Sequence, residues 1–246
     1  MTEPLNRRFA RQKRFLRARF SPEGYLGLHF TIGLCLILAA GWYFAALAED
    51  VTRNDPIVRT DLAVASWFHE RATPGVTTLA RAISFCGSPG FVSVASVLVI
   101  ALLLWRHYWN RAITLAVTML GGSLLIIFLK HLFHRQRPVL ENPLVTLTSY
   151  GFPSGHTMGS TIFYGLFALI VATFIARWNW RVILFVGAAI FVALIGFTRI
   201  YLGAHYFSDV IAAITAGTAW LTFCWTGSES IRRRRALRAA SVIQPT

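Results

Sequence analysis

Long apolar runs alternate with short polar segments along most of this 246-residue chain. A helix needs about 17 to 25 predominantly apolar residues to cross the hydrocarbon core of a bilayer. Six runs come near or exceed that length, so the pattern predicts an all-α, polytopic membrane protein with six transmembrane helices. The predicted spans cover residues 25–48, 89–105, 112–129, 157–176, 182–198 and 205–226.

The longest loop, residues 49–88, separates the first two predicted spans and carries mixed charge. Within it, Val76, Leu79 and Ile83 recur at helical spacing, and Trp67 adds an aromatic group. These features favour one or two short amphipathic helices at the membrane interface in the first extracytoplasmic loop. An ordinary capping loop is the alternative that the pattern leaves open.

Composition agrees with a membrane protein, because 55% of the residues are hydrophobic and only 14% are charged, against about 25% charged in soluble domains. The formal net charge of +14 could suit nucleic acid, but much of it lies near the two ends. We expect basic cytoplasmic tails at residues 1–24 and 227–246, around a membrane domain at residues 25–226. We expect a lipid bilayer as partner and no nucleic acid.

The distribution of Lys and Arg also predicts the orientation in the membrane. Six spans place both termini on one side, together with the basic turns at residues 106–111 and 177–181. The positive-inside rule makes this side cytoplasmic. Lys130, Arg135 and Arg137 then fall on the extracytoplasmic side, against the trend. An anionic ligand bound there is the simplest explanation.

Polar residues that suit phosphate binding occur in three clusters on this side. Lys130 and Arg137 are seven residues apart, two helical turns if the third helix continues, and Arg199 closes the fifth span. Their side chains offer point-charge and forked donors for phosphate oxygens. Ser154 can cap the fourth helix, and the N–H groups around Gly155 would form an anion site at its N-terminus.

Histidines beside these donors suggest the reaction. His205 and Asp209 are four residues apart at the start of the sixth span, and would share a helix face. A carboxylate on one imidazole nitrogen leaves the other free as a nucleophile, and His156 is the natural partner for proton transfer. The pattern therefore predicts phosphoryl transfer through a phosphohistidine on His205, with His156 as general acid and then general base.

A metal site is the first competing interpretation. Two histidines and one aspartate can bind zinc, and His131 and His134 lie three residues apart. Three cationic side chains around the site would repel a divalent ion, and they neutralise phosphate charge as Mg²⁺ does elsewhere. We therefore expect no metal and no other cofactor. The three cysteines give neither a metal-ligand spacing nor a disulfide framework.

The ordered set of motifs resembles the signature of the type 2 phosphatidic acid phosphatase (PAP2) superfamily. Its three parts are Lys130-x6-Arg137-Pro138, Pro153-Ser154-Gly155-His156 and Arg199-x5-His205-x3-Asp209. The resemblance implies a six-helix membrane fold and a metal-independent lipid phosphatase with an extracytoplasmic site. It also implies His205 as nucleophile, His156 as acid and base, and Asp209 as the orienting group. Phosphate binding falls to Lys130, Arg137, Ser154, Gly155 and Arg199.

One position departs from the family pattern, and two others are left open. The family often has Ser before the third-motif arginine, whereas this chain has Thr198. Its hydroxyl can still donate, so only a supporting contact is in doubt. Arg135 and His134 fall at variable positions of the first motif. Arg135 either contacts the headgroup or is simply solvated.

Several functions remain open at this stage. Within the superfamily, the substrate could be phosphatidate, phosphatidylglycerol phosphate, undecaprenyl diphosphate or a lipid A phosphate, and transfer to a lipid acceptor could replace hydrolysis. The apolar walls suit a long-chain lipid of a bacterial inner membrane. An intramembrane serine protease using Ser154 and His205 is more distant, because a peptide bond needs no cationic cradle. A phospholipid transporter would be expected to show inverted repeats, and none is evident. Oligomeric state is not predicted.

Overall fold

The computed structural model describes residues 27–53, 56–139, 144–145 and 147–243. The predicted basic tail at residues 1–24 and the first two residues of the first predicted span lie outside the described residues. The described part is helical and contains no strand. Its helices are α1 (Leu28–Arg53), α2 (Pro56–Glu70), α3 (Pro74–Phe85), α4 (Pro89–Trp105), α5 (Trp109–Phe133), α6 (Gly155–Ala172), α7 (Trp178–Tyr201) and α8 (Phe207–Ile243).

Within the described residues, six helical stretches are long and apolar enough to cross a membrane, which confirms the predicted fold class. The second stretch is longer than predicted, because α3 and α4 together form an apolar segment from Pro74 to Trp105. Pro74 and Pro89 lie in the first turns of α3 and α4. Proline is tolerated there because backbone N–H groups in the first turn have no partner within the helix. The Ser88 hydroxyl accepts from Phe91 N at 3.2 Å and caps α4.

The first long loop contains two helices, α2 and α3, as the pattern predicted. In α3, however, the apolar face is exposed and the face with small and polar residues is buried, which is the reverse of a soluble amphipathic helix. Val76 and Leu79 are 50% and 60% exposed, whereas Thr77, Ala80 and Ser84 are buried. In a membrane protein the apolar face can contact lipid while small and polar residues pack inside. The position of these helices at the interface stays a prediction.

The last helix, α8, continues beyond the predicted end of its span at residue 226 and reaches Ile243. Glu229 binds Arg232 and Arg233 one turn further on, at 2.6 Å and 2.7 Å. Such pairs on one helix face support a helical continuation into a basic segment. By its contacts, the chain divides into two units, residues 1–39 with 222–246 and residues 40–221. In the first unit, His29 Nε2 lies 3.3 Å from Ser230 Oγ.

The second unit contains the catalytic candidates and is built around α6. A core of Leu129, Met158, Ile162, Ala213 and Ala216 joins α5, α6 and α8. Glycines let these helices approach closely. A Cβ at Gly217 would lie 2.9 Å from Thr161 Cβ, and one at Gly196 would lie 2.7 Å from Val210 Cγ1. These two close approaches place α8 beside both α6 and α7.

The loop helices are attached to the C-terminal end of α7. The hydroxyl of Tyr201 accepts from Thr73 N at 3.2 Å and lies 3.2 Å from Thr77 Oγ1. Phe68 of α2 packs against Phe197, with ring centroids 5.3 Å apart. These contacts place α2 and α3 beside the end of α7 that carries Arg199.

Candidate active site

The ends of four helices meet at the candidate site. Lys130 lies in the last turn of α5, and Arg199 lies in the last turn of α7. His156 is in the first turn of α6, and Asp209 is in the first turn of α8. Arg137 and His205 lie in the links that follow α5 and α7. Contacts among these residues and with Ser154 bring the three sequence motifs together in space.

His205 and Asp209 face each other, although His205 lies outside the helix that we predicted for it. Helix α8 begins at Phe207, and His205 sits in the preceding turn, where its N–H donates to Arg199 O at 3.2 Å. Gly203, with φ of 67°, allows this turn. His205 Nδ1 lies 3.4 Å from Asp209 Oδ2, and both side chains are buried. This separation is in ion-pair range but longer than a well-formed hydrogen bond.

The second nitrogen of His205 faces Arg137. Its Nε2 lies 3.0 Å from Arg137 Nη1. A guanidinium can only donate, so Nε2 accepts, and we assign the ring proton to Nδ1 beside Asp209. Burial lowers the pKa of His205 to about 4; Asp209 opposes the shift, and Arg137 and Arg199 add to it. His205 is therefore neutral near pH 7, with a lone pair on Nε2.

Backbone carbonyls hold Arg137 and Lys130 in place. Arg137 donates to Ser149 O at 2.6 Å, to Ala204 O at 2.5 Å and to Tyr150 O at 3.3 Å. Lys130 Nζ donates to the same Tyr150 carbonyl. Burial lowers the pKa of Arg137, while Asp209 opposes the shift. One carbonyl therefore links the two cations of the first motif.

Arg199 is buried, and its side chain forms a hydrogen bond with a residue that the sequence analysis missed. Its Nη1 donates to Ser84 Oγ of α3 at 2.7 Å. Its Nε is buried without a hydrogen-bond partner in the described part of the chain. A buried guanidinium with an unused donor is suited to an anionic ligand.

The start of α6 supplies the second motif. Ser154 occupies the N-cap position as predicted, but its hydroxyl lies 3.0 Å from Thr157 Oγ1 and makes no capping bond. The prediction of a side-chain cap was therefore wrong. Gly155 lies beside Lys130, because a Cβ there would be 3.6 Å from Lys130 Cε. His156 is half-buried and interacts electrostatically with the other site groups, namely Lys130, Arg137, Arg199 and His205.

The positions left open by the sequence now have definite contacts. Arg135 is largely buried rather than solvated; its side chain is 11% exposed and pairs with Asp209 at 2.5 Å and Asp61 at 2.8 Å. The Thr198 hydroxyl donates to Ile195 O at 2.7 Å, so it is occupied within its own helix. His134 is exposed, and its ring centroid lies 4.5 Å from that of Tyr150.

Asp61 and Ser84, both on the loop helices, are the site-associated residues that the sequence analysis missed. A signal for Asp61 was present, because it shares a helical face with Ile57, Ala65 and Phe68. A carboxylate on an apolar helix face indicates a buried partner. Ser84 offered no comparable signal, since a small polar residue in a helix has many uses.

Comparisons with known proteins agree with the geometry. The family model described as PAP2 superfamily matches residues 111–233. Phosphatidylglycerophosphatase B of Bacillus subtilis is 27% identical over 197 residues, which cover 78% of this chain and 95% of that protein. Lipid A 4'-phosphatase of Bacteroides thetaiotaomicron is 31% identical over 146 residues, which cover 51% of this chain and 60% of that protein.

Solved structures show the same fold. The crystal structure of a transmembrane PAP2 type phosphatidylglycerolphosphate phosphatase from Bacillus subtilis matches with a TM-score of 0.73 at 24% identity. The match covers 79% of this chain and 96% of that one. Aquifex aeolicus LpxE matches with a TM-score of 0.52 at 22% identity, over 68% of this chain and 94% of that one.

We predict that Ser84→Ala weakens anion binding at this site, because Arg199 loses the acceptor that orients it. The dissociation constant for orthovanadate, a phosphate analogue, should rise about five- to tenfold, which corresponds to the roughly 1 kcal/mol that one hydrogen bond typically contributes. The constant is measured from vanadate-dependent thermal shifts of the detergent-purified protein. Ser93→Ala is the matched control, because Ser93 is exposed on α4. Equal vanadate affinity in the two variants would contradict the role of Ser84.

Proposed function

Because the chain belongs to the PAP2 superfamily of membrane lipid phosphatases, we propose that it removes a terminal phosphate from a bacterial lipid phosphate through a phosphohistidine on His205. One observation carries the mechanism. His205 presents a neutral Nε2 between cationic side chains, while its Nδ1 faces a buried carboxylate. This is the arrangement that an activated imidazole nucleophile needs.

The reaction proceeds in two displacements. His205 Nε2 attacks phosphorus, and the bond from phosphorus to the lipid oxygen breaks as His156, protonated at the start of the cycle, donates its proton to that oxygen and becomes neutral. Asp209 compensates the positive charge that develops on the imidazole. Water then attacks phosphorus while His156 accepts its proton, and the phosphorus–nitrogen bond breaks. Inorganic phosphate leaves, and both histidines return to their initial states.

The cationic groups stabilise the equatorial phosphoryl oxygens. Lys130, Arg137 and Arg199 supply charged donors, and Ser154 and the Gly155 N–H add neutral ones. Substrate phosphate would exchange with the present Arg137–His205 contact, because both use the same guanidinium N–H. Each pre-positioned donor of this kind contributes roughly 10²- to 10³-fold to the rate.

We propose that no metal ion takes part. The fixed positive charge of three cationic side chains disfavours a divalent ion and performs its neutralising role. In the described ranges, His, Cys, Asp and Glu form no group of three suited to a metal. The fixed charge of Lys130, Arg137 and Arg199 supports this proposal, and activity in the presence of EDTA tests it.

The relatives narrow the choice of substrate. The relative that covers 78% of this chain is a phosphatidylglycerophosphatase, so we propose phosphatidylglycerol phosphate as the leading substrate. A lipid A phosphate is the second candidate, because the lipid A 4'-phosphatase is 31% identical over half of the chain. Phosphatidate and undecaprenyl diphosphate share the terminal phosphate that the site would hold.

We also propose that the protein lies in a bacterial inner membrane, with both termini cytoplasmic and the site extracytoplasmic. Helix α6 separates the site loop from the basic turn before α7, so the two must face opposite sides if α6 spans the bilayer. Arg177 in that turn and Arg181 in the first turn of α7 support a cytoplasmic position.

The orientation predicts a labelling difference in intact cells. A cysteine replacing Val139, which is 94% exposed in the site loop, should react with a membrane-impermeant maleimide. A cysteine replacing the exposed Asn179 should react only after permeabilisation. Both are made with Cys35, Cys86 and Cys224 changed to Ser. The reverse labelling pattern would overturn the orientation.

The function itself is tested by phosphate release from a lipid panel with detergent-purified protein. The panel holds phosphatidylglycerol phosphate, phosphatidate, undecaprenyl diphosphate and a lipid A phosphate. We expect the first to be hydrolysed fastest, with unchanged rates in EDTA and inhibition by vanadate. Loss of activity in EDTA would overturn the metal-free mechanism. Inertness towards every lipid would overturn the proposed hydrolysis, and ³²P in a second lipid would instead indicate phosphotransfer.

The phosphohistidine predicts a covalent label on one residue. With ³²P-labelled substrate and a rapid alkaline quench, the protein should carry label that mild acid releases. His205→Ala should abolish the label and lower the rate at least about 10³-fold, since the nucleophile is gone. His131→Ala is the control, because His131 is exposed on α5. Label that persists in His205→Ala would refute this nucleophile.

A further inference from the structure

A buried carboxylate on loop helix α2 lies behind the catalytic groups. Asp61 is 0% exposed. Its Oδ1 accepts from Ser208 N at 2.9 Å, and its Oδ2 accepts from Ser208 Oγ and from Arg135 Nη2, the latter at 2.8 Å. Desolvating a carboxylate is costly unless it is paired. Its partners, Ser208 and Arg135, belong to the segments that flank the site.

Arg135 connects this carboxylate to a catalytic one. Its Nη1 donates to Asp209 Oδ1 at 2.5 Å and to Ser208 Oγ at 2.7 Å, while Nη2 donates to Asp61. The guanidinium carbon also lies 4.5 Å from the centroid of the Tyr206 ring. Burial alone would lower the pKa of Arg135, but the Asp209 and Asp61 carboxylates raise it. Arg135 is therefore a fixed cation between two carboxylates.

These contacts leave one oxygen of Asp209 for His205. Arg135 occupies Oδ1, whereas Oδ2 accepts from Tyr206 N at 2.9 Å and faces His205 Nδ1 at 3.4 Å. Rotation of the carboxylate about its Cβ–Cγ bond would break both sets of contacts. The orientation of Oδ2 towards the imidazole thus depends on Arg135, and that of Arg135 depends on Asp61.

From this geometry we propose that Asp61 and Arg135 are positioning residues that orient Asp209, and through it His205, for the phosphoryl transfer. The proposal rests on the function proposed above for His205. It explains why a short loop helix carries a carboxylate on its apolar face. It also assigns a role to Arg135, which does not belong to the phosphate cradle. A buried ion pair adds little to stability compared with apolar packing, but it can fix one geometry.

Replacement of Asp61 by Asn distinguishes the hydrogen-bonding role of the carboxylate from a role in packing alone. The two carboxylate oxygens of Asp61 face donors on opposite sides, Ser208 N and Arg135 Nη2. An amide has one acceptor oxygen, so in either orientation its NH₂ group faces a donor. Asp61→Asn therefore preserves volume and releases either Arg135 or the start of α8.

The test compares Asp61→Asn, Arg135→Gln and the double variant on phosphatidylglycerol phosphate in detergent micelles. We expect kcat to fall about 10- to 100-fold, as for a small misplacement of a reacting group. We expect KM to change less than about twofold, because the phosphate cradle is intact. The double variant should be no slower than Arg135→Gln, because both changes break one chain of contacts. Glu70→Gln is the matched control, since Glu70 is exposed on the same helix.

A second readout needs no substrate. In ¹⁵N-histidine-labelled protein, the chemical shifts of the ring nitrogens of His205 report which nitrogen carries the proton. The signals of His205 are identified because they are absent in His205→Ala. Asp61→Asn and Arg135→Gln should increase the Nε2–H fraction, and Glu70→Gln should not. If Asp61→Asn does not fold, Arg135→Lys replaces it, because one ammonium cannot span both carboxylates.

The outcomes separate the two proposals. Wild-type protein inert towards the whole lipid panel would refute the proposed function, while the tautomer measurement would still decide the role of Asp61. Active wild type with an unchanged kcat in Asp61→Asn would overturn the positioning role. Lower rates with an unchanged tautomer, or with multiplicative effects in the double variant, would overturn it as well, because Asp61 would then act by another route.

Discussion

The pairing of the buried Asp209 carboxylate is the interaction on which the site depends. Its side chain accepts hydrogen bonds from Arg135 and Tyr206 N and faces His205, and its backbone carbonyl accepts from Ser154 N at 3.1 Å. One residue therefore joins the start of α6, the start of α8 and the link after α5. A carboxylate with 0% exposure is costly without such partners, so its burial depends on these elements coming together.

The loop helices complete the site from the outside of the bundle. Asp61 of α2 accepts a hydrogen bond from Arg135, and Ser84 of α3 accepts one from Arg199. Ser84 lies on the small and polar face of α3, which would be exposed in a soluble protein of this pattern, whereas Asp61 lies on the apolar face of α2. In a membrane, apolar residues such as Leu79 can face lipid, and the polar face of the helix becomes the internal one. The same inversion explains how a segment of mixed charge supports a buried cationic centre.

Positive charge is concentrated around the proposed nucleophile without a matching number of carboxylates. Arg137 and Lys130 donate to backbone carbonyls, and Arg199 donates to a hydroxyl. Neutral acceptors orient these cations and leave their charge available for an anion. Arg135 differs, because two carboxylates neutralise it. Lys130, Arg137 and Arg199 thus differ from Arg135, because only Arg135 is paired with carboxylates.

The sequence by itself determined the helical class, the six spans and the ordered motifs, because span length and hydropathy are local properties and the spacing of Lys130, Arg137, Arg199, His205 and Asp209 can be read directly. Only the tertiary structure decided which polar groups support that site. Asp61 and Ser84 are 74 or more residues from their partners Arg135 and Arg199. Their role arises from helix packing, and no local pattern encodes which distant side chain a buried acceptor will meet.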